Sequence, residues 1–132
     1  MIRIATISDV SSILNVYTHI HTKSMINRVK NTEYDFTKYV ENGNINVYED
    51  TLDGVCGFVL FFDHITWGYI EMLCVSPKNR LSGIGRKLLN SVSNNSWGVV
   101  EVCCHLFDEE SNLFVKKCGF EKSNQETTWY VK

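Results

Sequence analysis

The sequence predicts a mixed α/β domain of the α+β kind: a largely antiparallel, twisted central sheet of about six to seven strands flanked by about four helices. Three observations predict it. Short apolar runs alternate with segments of helical period along the 132 residues. The runs Ile45–Glu49, Val55–Phe62 and Trp67–Val75 follow one another across turns of a few residues. They must form an antiparallel meander, because a parallel link needs a crossover of about a dozen residues or more. A helical segment then separates the third run from Val99–Cys104. That is a strand-helix-strand unit of right-handed sense, in a sheet covered by helices on both faces.

Each element has its own signal. Ile2–Thr6 opens as a strand, with Ile2 and Ile4 alternating against Arg3. Ser8 or Asp9 then caps a helix whose stripe is Val10, Ile13, Leu14, Tyr17 and Ile20. A weaker helix follows Asn31 and Thr32, turns Phe36, Tyr39 and Val40 inward, and ends at Asn42 and Gly43. Asp50–Gly54 and Asp63–Thr66 carry the turns of the meander. After Pro77 the helical period returns, with Ile84, Leu88 and Val92 on one stripe and Leu89 beside it, until Asn94–Gly98. Val99–Cys104 is apolar and β-branched enough for an interior strand. A further helix runs from about Asp108 to Cys118, burying Ser111, Phe114 and Cys118, with Gly119 as its C-cap. Phe120 resumes extended chain, and Thr127–Val131 is the last strand. The length suits one domain, 1–132, and no linker or repeat interrupts it.

Composition excludes several classes. Hydrophobic residues are 44% and charged residues 21%, with one proline, which rules out a disordered or fibrous chain. The net charge of −2 gives no field to draw nucleic acid or an anionic membrane. The five cysteines, Cys56, Cys74, Cys103, Cys104 and Cys118, are odd in number and contain no Cys-x-x-Cys pair, so free thiols in a reducing compartment are expected. No run approaches the ~20 apolar residues of a membrane span. Arg3 and Asp9 interrupt any leader-like apolar stretch, and a cytoplasmic location is expected.

Chemistry concentrates in Arg80-Leu81-Ser82-Gly83-Ile84-Gly85-Arg86, between a strand and a helix. Two glycines spaced by two let the backbone turn and approach a ligand. The first turn of the next helix carries amide donors without intrahelical acceptors, and its dipole favours an anion. A phosphate or pyrophosphate cradle follows. A plain tight turn is the competing reading of the glycine pair alone. The Gly-Lys-Ser/Thr of a nucleotide P-loop and the third glycine of a dinucleotide fingerprint are both absent.

Glu71-Met72-Leu73-Cys74-Val75-Ser76-Pro77, then Arg80-x-x-Gly83-x-Gly85, then Phe114-x-x-x-Cys118-Gly119-Phe120, resemble the GNAT (Gcn5-related) family of N-acetyltransferases. The order of elements extends the resemblance across almost the whole chain. It implies an acyl-CoA N-acyltransferase-like fold and acetyl-coenzyme A as cofactor. It implies that the diphosphate sits on the backbone of Leu81, Ser82, Gly83, Ile84, Gly85 and Arg86, with Arg80 nearby. The pantetheine arm would lie along Leu73, Cys74 and Val75, and a backbone amide there would stabilise the developing oxyanion. The acceptor would be a primary amine of a small molecule or peptide, attacking the acetyl group directly.

The resemblance implies Glu71 as general base; by itself, a carboxylate inside the apolar run Tyr69–Leu73 must be exposed, paired or used. Substrate electrostatics and a plain surface role are the alternatives. Where many relatives carry a tyrosine as general acid, this chain has Val115, which has no proton to give. A noncatalytic coenzyme A-binding regulatory protein is therefore the rival reading. Cys118, Tyr69 and Tyr130 are substitute donors, and Asp108 stands where relatives often have an asparagine against pantetheine. No metal site is expected, because Cys103, Cys104 and His105 diverge on a strand. A homodimer is left open by the late strands.

Overall fold

The computed structural model describes residues 1–20, 35–80, 82–92, 98–103, 109–122 and 128–131. The expectations placed on Asn31, Thr32, Leu81, Asn94, Cys104, His105 and Asp108 lie outside the described residues, as do the side chains of Ser111 and Tyr130. The described strands are β1 (Ile2–Ile4), β2 (Ile45–Asp50), β3 (Gly54–Asp63), β4 (Trp67–Val75), β5 (Val99–Cys103), β6 (Glu121–Lys122) and β7 (Thr128–Val131). The helices are α1 (Val10–Ile20), α2 (Phe36–Glu41), α3 (Ile84–Ser91) and α4 (Glu109–Lys117). The strands form one sheet in the order β1-β2-β3-β4-β5-β7-β6, the mixed α/β class the sequence predicts. The chain divides into two compact units, Met1–Leu60 with Met72–Val92, and Phe61–Glu71 with Ser93–Lys132.

In the first unit β1 pairs antiparallel with β2, and β2 antiparallel with β3. The register shifts between Tyr48 and Glu49, which leaves Cys56 as an extra residue of β3. α1 and α2 build one core face: Tyr17 meets Phe36 edge-on at 5.5 Å, and Phe36 meets Phe58 at 5.7 Å. Ile13, Val16, Ile45, Val47 and Leu60 complete it. Leu14, expected inward, is 41% exposed, and Val16 takes the place instead. The stripe therefore runs 13, 16, 17, one residue off the expected centre.

The expected cap is also corrected. A 3-10 turn, Ile7–Asp9, precedes α1, and Thr6 is its cap residue. Asp9 is buried, and its carboxylate accepts from the Thr6 backbone N–H at 2.7 Å and from two Arg3 nitrogens at 2.7 and 2.9 Å. Arg3 also reaches Glu49 at 3.1 Å. The guanidinium beside Asp9 holds its carboxyl down at about 2.

α3 covers β2 and β3 on its side of this unit. Asn46 Nδ2 donates to Ser91 Oγ at 3.1 Å, and the Lys87 ammonium lies 5.7 Å from the Tyr48 ring centre. Ile84, Leu88, Leu89 and Val92 are buried, as their spacing predicts. The helix seats closely because β3 has glycine beneath it. A Cβ on Gly57 would stand 3.0 Å from Leu88 Cδ1, 3.1 Å from the Cys74 carbonyl oxygen and 3.4 Å from Ile84 Cγ2.

In the second unit β4 pairs parallel with β5, Trp67–Ile70 against Val99–Val102. β5 pairs antiparallel with β7, and β7 with β6. The turn before β4 holds Ile65 at φ 71°, a left-handed conformation that a β-branched residue adopts only under strain. The Asp63 carboxylate accepts from its N–H at 2.8 Å and holds it there. In α4, Val115 is buried, whereas Phe114 and Cys118, the expected inward positions, are half-buried. Cys56, Cys74 and Cys118 form no disulfide among the described residues. Among the described residues no helix is long and apolar enough to cross a membrane.

Candidate anion-binding site

The site begins on β4. The Ser76 N–H donates to the Cys56 carbonyl at 2.8 Å, which directs position 76, and with it position 74, toward β3. Alternation along a strand then directs the N–H and C=O groups of Leu73 and Val75 away from β3. Side chains alternate too: Cys74 is buried, and Glu71, Leu73 and Val75 are half-buried on the opposite face. Burial pushes the Cys74 thiol up to about 12, so it serves as an apolar core group.

A 3-10 turn, Pro77–Asn79, leaves the strand. Its N–H groups close locally, Asn79 to the Ser76 carbonyl at 2.9 Å and Arg80 to the Pro77 carbonyl at 3.4 Å. Arg80 donates Nε to the Val75 carbonyl at 3.3 Å. Ser82 Oγ donates to the Asn79 carbonyl at 2.6 Å. Gly83 follows at φ 83°, the left-handed conformation that glycine tolerates, and α3 starts at the next residue. Its missing Cβ faces open space, with nothing within 4 Å. The N–H groups of Ser82, Gly83, Ile84 and Gly85 have no acceptor among the described residues. They belong to the first turn of α3 and the two residues before it, at the positive end of the helix dipole. Arg86 is exposed on the same first turn, and Ile84 contributes backbone only, its side chain being core.

The loop is braced from a place the sequence did not reveal. Asp53, in the β2–β3 turn, accepts from Lys78 Nζ at 2.9 Å and from Asn79 Nδ2 at 3.1 Å. These bonds hold the Asp53 carboxyl below its ordinary range. Asn79 Oδ1 is buried and has no donor among the described residues. Of the predicted site, Leu73, Cys74, Val75, Arg80, Ser82, Gly83, Ile84, Gly85 and Arg86 belong to one unit, and Glu71 to the other, at its end on β4.

The profile of the acetyltransferase (GNAT) domain matches residues 41–122. Among solved structures, PaiA N-acetyltransferase from Thermoplasma acidophilum, in complex with coenzyme A, is similar at a TM-score of 0.81 and 16% identity over 100% of this chain and 98% of that one. A GNAT-family acetyltransferase from Bacillus cereus gives 0.77 and 17%, over 100% and 96%. N-acetylglutamate synthase from Neisseria gonorrhoeae, complexed with coenzyme A and L-arginine, gives 0.75 and 14%; this chain covers 32% of that longer one. No curated protein sequence matches. The domain match spans well over half of the residues, and the chain belongs to the GNAT acetyltransferase family.

Proposed function

We propose that this chain is an acetyl-coenzyme A-dependent N-acetyltransferase that modifies a primary amine of a small molecule or peptide, with residues 1–132 acting as one domain. The observation that carries the reading is the set of four amides, Ser82 to Gly85, at the start of α3 with no acceptor among the described residues. Such a set suits a diphosphate, and two structurally similar proteins, an N-acetyltransferase and an N-acetylglutamate synthase, were solved with coenzyme A. The cofactor supplies an acetyl group activated as a thioester. The chain supplies position: Gly83 opens the backbone to the diphosphate, and Leu73 and Val75 offer strand hydrogen bonds to a pantetheine arm. At Val75 the arm would share the carbonyl with Arg80 Nε.

Glu71 takes the proton of the incoming amine, since an ammonium has no lone pair with which to attack. Leu73 or Val75 N–H steadies the negative charge that grows on the acetyl oxygen. A second reading, a noncatalytic coenzyme A-binding regulator, rests on Val115, a buried valine where a proton donor would serve. Titration with acetyl-coenzyme A and a thiol-release screen over small amines, polyamines, amino acids and peptide N-termini separate them. Binding with amine-dependent thiol release supports the enzyme, and binding alone supports the regulator. No binding by a folded sample removes both.

A further inference from the structure

We propose that Asp53 is a positioning residue for the cofactor loop: from the β2–β3 turn it sets where the Ser82–Gly85 amides stand. The inference rests on reading those amides as the coenzyme A diphosphate cradle. The bonds form a continuous path. Asp50 Oδ2 accepts from the N–H groups of Leu52 and Asp53 at 3.0 and 3.1 Å, which fixes the turn. Asp53 then holds Lys78 and Asn79, one through each carboxylate oxygen. The Asn79 carbonyl holds Ser82 Oγ at 2.6 Å, and Ser82 is the first residue of the cradle. A displacement of Asn79 therefore carries directly to the amides that face the anion. Lys78 and Asn79 are neighbours in a one-turn 3-10 helix, so one carboxylate anchors the whole turn.

Charge makes the role testable, because bracing and bulk electrostatics have opposite signs. Asp53 is an anion near an anion site. As a bystander, its removal would strengthen coenzyme A binding, since one repulsive charge is gone and Lys78 is released. As a brace, its removal weakens binding, because the amides lose their preset geometry. Coenzyme A is titrated calorimetrically into the wild-type chain, D53A, D53N and N79A at low and at raised salt. Asp53→Ala should bind about five- to thirty-fold more weakly, the range that 1–2 kcal/mol spans. Asp53→Asn, which keeps an oxygen for Asn79 Nδ2, should fall between Asp53→Ala and wild type. Asn79→Ala should weaken binding with the Asp53–Lys78 pair intact, and this variant and D53N carry the test if D53A fails to fold. Raised salt should leave the rank order unchanged. Equal or tighter binding by the folded Asp53 variants overturns the brace while the cofactor reading stands. A folded wild-type chain that binds no coenzyme A overturns the cofactor reading itself.

Discussion

Replacing Gly57 by alanine tests how the cradle helix is seated. The added methyl would meet Leu88 Cδ1 at 3.0 Å, the Cys74 carbonyl oxygen at 3.1 Å and Ile84 Cγ2 at 3.4 Å. Leu88 is fully buried and Ile84 nearly so, so neither side chain moves freely into solvent. The carbonyl belongs to β4 and shifts only with the strand. Overpacking of this kind costs about 1–3 kcal/mol. Against it stands the entropic gain of alanine over glycine in a strand, about 0.5–1 kcal/mol. The net expectation is a loss of up to about 2.5 kcal/mol, a fall in Tm of as much as roughly 10 °C for a chain of this size. Ile84 opens α3, so the same displacement should weaken coenzyme A binding. Thermal melts followed by circular dichroism and a coenzyme A titration read both effects. Adding Leu88→Val, which removes the nearest atom, should recover part of the stability and leave the strain on the Cys74 carbonyl. A Gly57→Ala protein as stable as wild type, binding coenzyme A equally, would refute the close-seating argument.

Four further outcomes are expected. Gly83→Ala places a side chain at φ 83°, costing about 1–2 kcal/mol and re-aiming the amides, so both Tm and coenzyme A affinity should fall. Ile65→Asn relieves the strained turn at an exposed position and should raise Tm by a few degrees; a lower Tm argues against strain there. Glu71→Gln should cut the amine-dependent rate more than coenzyme A affinity, and an unchanged pH–rate profile would remove Glu71 as base. Asp9 has a folded pKa of about 2 against an ordinary 3.8, a depressed carboxylate. Its stabilisation is complete above about pH 4 and is lost as pH falls through about 2, amounting to about 2 kcal/mol. Asp9→Asn should flatten that part of the stability–pH curve, as read by urea unfolding across the acid range.

Where sequence and structure agree, the signal is local. The run Trp67–Val75 became β4 with both ends as expected, and Val55–Phe62 became β3 lengthened by one residue at each end. Alternating or continuous apolar character between turn residues fixes such a strand without knowledge of its neighbours. The glycine loop was legible for the same reason: a strand, two spaced glycines and a helical stripe lie in one short stretch.

What escaped the sequence is long-range. Asp53 and Lys78 are 25 positions apart, and nothing in either residue announces the pair. Gly57 reads as an ordinary strand glycine until α3 is laid over it. Asp9 looked like a helix cap because aspartate is a good one; its partner Arg3 lies outside the helix altogether. Phase errors are of another kind. Neighbouring helix positions differ by about 100°, and the nine residues of α4 give little repetition with which to choose Val115 over Phe114. In α1, Leu14 lost to Val16 on the same ground, since both are apolar and only packing decides which faces inward.

The most direct test of the cradle is amide proton–nitrogen NMR of the folded chain during addition of coenzyme A. The resonances of Ser82, Gly83, Ile84 and Gly85 should move together and saturably, downfield in the proton dimension as each N–H acquires a charged acceptor. Pantetheine, which has no diphosphate, should leave those four in place. If coenzyme A leaves them unmoved, or if pantetheine shifts them equally, these amides do not hold the diphosphate.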